Sequence, residues 1–192
     1  GCRSPLRRPH SDKISHKLEL AAHEKPFLDV LWQWQTYRRE IYNMVKIFRT
    51  IDNNVHQINE AQEGSWIALI DPTATEIVEI AEKYDIDVDH LRAPLDEEER
   101  SRIEVEDHYT LILVDIPMIE ERNDKEWYGT IPMGIVVTDD KIFTVCLEDT
   151  PVLSSFMDGR VRNFFTYKRT RFILQILYRN ASLYLHLSLI HI

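Results

Sequence analysis

Two short runs in this 192-residue chain, Leu111-Ile112-Leu113-Val114 and Ile135-Val136-Val137, are apolar at every position. A strand with one wet face alternates apolar and polar residues, so runs without alternation point to central strands covered on both faces. Such a sheet needs a layer of helices on each side. The sequence offers them. Ile77, Val78, Ile80, Ala81 and Tyr84 repeat near a period of 3.6 after Asp71-Pro72, with Thr73 or Thr75 as N-cap and Glu76 in the first turn. A second helical stretch is predicted from Val88 to Glu99, broken around Pro94, and a short helix follows Pro151. A long helix is predicted from Tyr167 onward, with Phe172, Ile173, Ile176 and Leu177 on one stripe.

Strands are predicted at Val45–Thr50, Trp66–Ile70, Tyr109–Ile116, Thr130–Thr138 and Lys141–Leu147. Pro117 closes the third, and Asp139-Asp140 turns the fourth into the fifth. The fold class is therefore α/β, a mixed β-sheet sandwiched by helices, with the last helix leading out of it. An apolar fraction of 44% over this length suffices for one sizeable core. Cys2 and Cys146 make no disulfide framework and point to a reducing compartment, with Cys146 read as core.

Charge divides the chain into three blocks. Residues 1–43 carry a balance of +3, residues 44–157 one of −17, and residues 158–192 one of +5. Nucleic acid as a partner is disfavoured, because binding it requires Lys and Arg against phosphates; cations are the compatible ligands. The tail from Phe172 to Ile192 does not read as a membrane span, since Arg179 and Asn180 sit in its middle. No dinucleotide fingerprint, phosphate loop, HExxH, CxxC pair or GxSxG elbow occurs, and no enzyme is indicated. His90 and His108 each follow an aspartate, and both read as solvated surface residues.

The strongest chemical feature is the segment Asp96 to Asp107, in which seven of twelve residues are acidic. Carboxylates suit Mg2+, which keeps several waters and needs only one or two of them. The plainer reading, favoured on the residues alone, is a solvated helix face with Arg100 and Arg102 pairing locally.

The ordered set Ser65-Trp66-Ile67-Ala68-Leu69-Ile70-Asp71-Pro72, Ile86-Asp87-Val88-Asp89-His90-Leu91, Arg102-Ile103-Glu104-Val105-Glu106-Asp107-His108-Tyr109-Thr110-Leu111-Ile112-Leu113 and Gly134-Ile135-Val136-Val137-Thr138 resembles the N-terminal cytoplasmic domain of CorA-type magnesium transporters. Arg169-Thr170-Arg171-Phe172-Ile173-Leu174 looks like the opening of that family's stalk helix, and the resemblance runs from Met44 to about Leu185.

The resemblance implies a homopentameric, channel-like transporter of Mg2+, often also of Co2+ or Ni2+. It lies in the cell membrane with this part in the cytoplasm, where bound Mg2+ closes the pore. The pore helices and the Gly-Met-Asn signature are expected beyond residue 192. One family regulatory carboxylate aligns with Ala93 and its acidic neighbour with Arg92, while the stalk partner aligns past residue 192. Asp89 and Asp96, seven apart, are the substitute metal ligands, on condition that Pro94 leaves the helix between them unbroken. The alternative function is a free-standing acidic interaction or regulatory domain with no transport role.

The expected organisation is a non-native or disordered leader over 1–43, a cytoplasmic α/β domain over 44–166, the start of a stalk helix over 167–186 and a non-native tail over 187–192. Arg38-Arg39 can be encoded as AGGAGG, a ribosome-recognition sequence, four codons before Met44. The leader is thus expected to be untranslated DNA read in frame. Mass spectrometry of the protein from its own cells should find an N-terminal peptide beginning at Met44, and peptides from residues 1–43 would overturn the expectation.

Overall fold

The computed structural model describes residues 45–122 and 125–190. The chain divides into two units, Gly1–Asn43 and Met44–Ile192, and the described residues belong to the second. The leader expectation therefore lies outside the described residues. The strands are β1 (Val45–Ile51), β2 (Asn54–Ile58), β3 (Trp66–Ile70), β4 (Arg102–Val105), β5 (Tyr109–Arg122), β6 (Lys125–Thr138) and β7 (Ile142–Cys146). The helices are α1 (Ala74–Tyr84), α2 (Val88–Arg92), α3 (Pro151–Met157) and α4 (Arg169–Ile190), with a 3-10 turn at Ala93–Leu95.

One seven-stranded sheet runs in the order β2-β1-β3-β7-β6-β5-β4. All neighbours are antiparallel except β3 and β7, which are parallel. Alternate residues of the central strands feed two cores. Trp66, Ala68, Ile135, Ile142 and Cys146 face α3 and α4 through Val152, Phe156, Phe172 and Ile176. Ile67, Leu69, Val136, Phe143 and Val145 face α1 and α2 through Ile77, Ala81 and Leu91. The apolar runs read from the sequence are thus covered on both sides, as expected.

Trp66 organises the first core. Its ring stacks on Phe48 at 4.9 Å and meets the edges of Phe156, Phe164 and Phe172. Its indole N–H donates to Thr144 Oγ at 2.9 Å, so two buried polar groups satisfy each other. In α1, Thr73 and Glu76 form a capping box, which decides between the two cap candidates. The helix ends at Asp85, whose φ of 54° is the left-handed conformation that Asp tolerates.

Several elements differ from expectation. β2 was not predicted. Its sequence Asn-Val-His-Gln-Ile is polar and mostly exposed because it is an edge strand, joined to β1 by the two-residue turn Asp52-Asn53, both with positive φ. Pro117 does not close β5, which continues to Arg122. Pro117 and Pro132 both lie where their strand has a single partner, since β4 reaches only Leu113 and β7 ends, at Cys146, opposite Met133. The second helical stretch stops at Leu95 rather than Glu99, because Pro94 converts α2 into the 3-10 turn. Residues 102–105, read as a solvated helix face, form the edge strand β4.

α4 packs along the sheet before it can lead away. Phe172 and Ile176 are fully buried, and Asn180 donates its amide to the Asp115 carbonyl at 2.8 Å. The helix continues unbroken through Leu187 to Ile190, so no structural change marks the predicted tail boundary at 186. Among the described residues no helix is long and apolar enough to cross a membrane.

The 3-10 turn sits directly on β6. A Cβ at Gly134 would overlap the buried Pro94 ring, so glycine at 134 is what lets the turn approach. Gly134→Ala should destabilise the fold by about 1–3 kcal/mol in urea unfolding. Combined with Pro94→Ala, the loss should be smaller than the sum of the two single changes, the signature of direct contact.

Candidate functional site

The described residues bring one group of potential metal ligands together, His90, Glu104 and Glu106, each offering an atom within 4.8 Å of the others. A helix, a strand and the turn after that strand supply it. His90 stands on α2, whose N-cap Asp87 accepts the Asp89 N–H at 2.8 Å. Glu104 lies in β4 opposite Leu111 of β5. Glu106 follows β4, and its N–H donates to the Tyr109 carbonyl at 2.9 Å. Side chains alternate along a strand, so Arg102, Glu104 and Glu106 share one face while Ile103 and Val105, 67% and 77% exposed, take the other.

Tyr109 Oη lies 2.7 Å from His90 Nδ1 and also accepts the Asp87 N–H at 3.1 Å. The imidazole is thereby held with Nε2 toward the carboxylates, 3.3 Å from Glu104 Oε2. Arg102 grips the other Glu104 oxygen, Oε1, and also pairs with Glu99. Hydrogen bonding to Arg102 holds the Glu104 carboxyl below the usual range, against a smaller effect of burial, and His90 pushes in the same direction as Arg102. The reciprocal bond raises Arg102 further. Burial raises the Tyr109 phenol, helped by the charges of Asp87, Glu106 and Asp85, so it is a neutral hydroxyl at physiological pH.

The predicted ligands lie elsewhere. Asp89 is exposed and sits 4.0 Å from Arg92 on its own helix. Asp96, also exposed, accepts the Glu98 N–H at 3.0 Å after the 3-10 turn. The condition set for them fails, because the helix does not continue through Pro94 and gives them no shared face. His108 is exposed as expected. His90 is not a simple surface residue: it is half-buried and bonded at both ring nitrogens. The signal that could have found the cluster is the two-residue spacing of Glu104 and Glu106, which becomes a shared face only once the segment is read as a strand. Cys146 is fully buried and its thiol is pushed up to about 12 by desolvation, which fits the core role and not a nucleophile.

Residues 61–187 match the family model described as CorA-like Mg2+ transporter protein. The Cobalt/magnesium transport protein CorA of Methanocaldococcus jannaschii is 26% identical over 110 residues, 57% of this chain and 32% of that relative. The chain thus spans about a third of the curated relative's length. The solved soluble domain of CorA from the same organism superposes with a TM-score of 0.59 at 22% identity, covering 74% of this chain and 58% of that one. The ZntB cytoplasmic domain from Vibrio parahaemolyticus gives 0.53 at 11% identity over 73% of this chain and 60% of that one. At these identities the solved structures establish a common fold.

The lowered Glu104 carboxyl makes the Arg102–Glu104 pair a source of stability above the ordinary glutamate value of about 4.3, lost as pH falls through the lower folded value. Glu104→Gln should therefore lower the urea midpoint at pH 7. The gap between variant and parent should close progressively below about pH 4.

Proposed function

We propose that this chain, which belongs to the CorA-like Mg2+ transporter family, is the cytoplasmic regulatory domain of a membrane transporter for divalent cations, with Mg2+ the transported and regulatory ion. The single observation that carries this reading is the family match over residues 61–187, which takes in β3 through most of α4. The relative's name supports cobalt and magnesium as the cargo.

Electrostatics points the same way. A balance of −17 over residues 44–157 concentrates cations near the domain surface. Mg2+ is a hard cation that keeps its waters, so exposed carboxylates such as Asp89 and Asp96 suit a weak regulatory response, each acting singly. The pore belongs to segments outside this chain, in a homopentamer of the full-length protein that holds this domain on the cytosolic side. A transporter component of this kind carries out no covalent chemistry.

The reading frame of the gene tests this directly. It should continue into a long polar helix followed by two hydrophobic segments of about 20 residues. The full-length protein should restore growth at low Mg2+ to cells stripped of their own uptake systems. A frame without such segments would support the free-standing domain instead.

A further inference from the structure

We propose that His90, Glu104 and Glu106 form a binding site for a borderline divalent cation of the cobalt-to-zinc class, in preference to Mg2+. The donor set decides the class. One imidazole nitrogen and two carboxylates suit Co2+, Ni2+ and Zn2+, whereas Mg2+ takes oxygen ligands and retains its waters.

The geometry is close to what such an ion needs. Donors at 2.0–2.2 Å from a tetrahedral metal lie about 3.4 Å apart. His90 Nε2 and Glu104 Oε2 are already at 3.3 Å, and all three ligand atoms fall within 4.8 Å. Glu106 is the member that must close. It is exposed, so its side chain has room to reorient toward the other two.

The supporting shell distinguishes this group from a chance gathering of acids. The His90 nitrogen remote from the carboxylates rests on Tyr109, a residue outside the ligand set that is itself fixed by the Asp87 N–H. Metal-bound histidines are oriented by such a contact at the second ring nitrogen. Arg102 occupies Glu104 Oε1 and leaves Oε2 toward His90. A His90–Glu104 ion pair accounts for two of the three side chains but not for Glu106. Counting Arg102 against Glu99, Glu104 and Glu106, the neighbourhood keeps a net charge of −2 with His90 neutral. A divalent cation would cancel it.

The three residues lie within the matched stretch 61–187, but the transport reading rests on that match as a whole and not on these side chains, so either can fail alone. Co2+ titration of this chain, followed by its visible d–d absorption, and calorimetry with Zn2+ test it. The expected result includes a saturable 1:1 event that a hundredfold excess of Mg2+ does not displace. His90→Gln and Glu106→Gln should each weaken that event by more than about tenfold, and Tyr109→Phe by about tenfold. Glu106 is exposed and outside the core, so Glu106→Gln keeps the test valid if a His90 variant folds poorly. Binding that persists unchanged in these variants belongs to other histidines and overturns the proposal. So does Zn2+ binding no tighter than Mg2+.

Discussion

The central strands β3 and β7 and the stretch Ile131–Val136 of β6 are buried on both faces, and the remaining architecture follows from that burden. Each contributes alternate residues to two separate cores, so neither helical layer can be lost without exposing a complete apolar face. Burial of a single large aliphatic or aromatic side chain is worth about 1.5–3 kcal/mol. A run such as Ile142 to Cys146, buried at all five positions, therefore commits the chain strongly to this layering. Thr144 is the polar exception in that run. It is tolerated because the Trp66 indole supplies its partner, which turns a desolvation penalty into a specific lock between β3 and β7.

On the α1–α2 side, the close contact of Pro94 with Gly134 sets where the cluster can form. Pro94 ends α2 and lies against the sheet through a position with no side chain, bringing the short helix down onto β6. Leu91 is buried beneath it, and His90, one residue earlier, is left at the sheet margin. Tyr109, at the start of β5, meets it there. The cluster is thus an outcome of packing at a strand end, where a few charged residues of an edge strand find the last helix turn before the chain enters it.

Edge strands expose unpaired backbone and are blunted by short length and charge. β4 has both features, four residues long with Arg102 and Glu104 on one face. The same charges that keep the edge soluble are available for ligation. One set of residues accounts for both properties, and the physical requirement of the first placed the second at the sheet margin.

Much of the layering was readable in the residues. The unbroken apolar runs announced doubly covered strands, the 3.6 period and the Thr73–Glu76 box announced α1, and Trp66–Ile70 was read to the residue. These signals are local, because periodicity and capping act within a few residues. β2 and β4 escaped for a common reason: edge strands bury little and carry polar residues, so their identity comes from a neighbour's backbone and not from their own pattern. The site escaped with them. Asp89 and Asp96 were linked by spacing along an assumed helix, whereas His90, Glu104, Glu106 and Tyr109 are joined across three elements by contacts of long sequence separation. What the sequence by itself determined was the layered α/β core, since apolar burial is written in the order of side chains. Which charged groups meet at its margin was decided only by the tertiary structure, because strand register and the Pro94–Gly134 contact fix distances that no local pattern encodes.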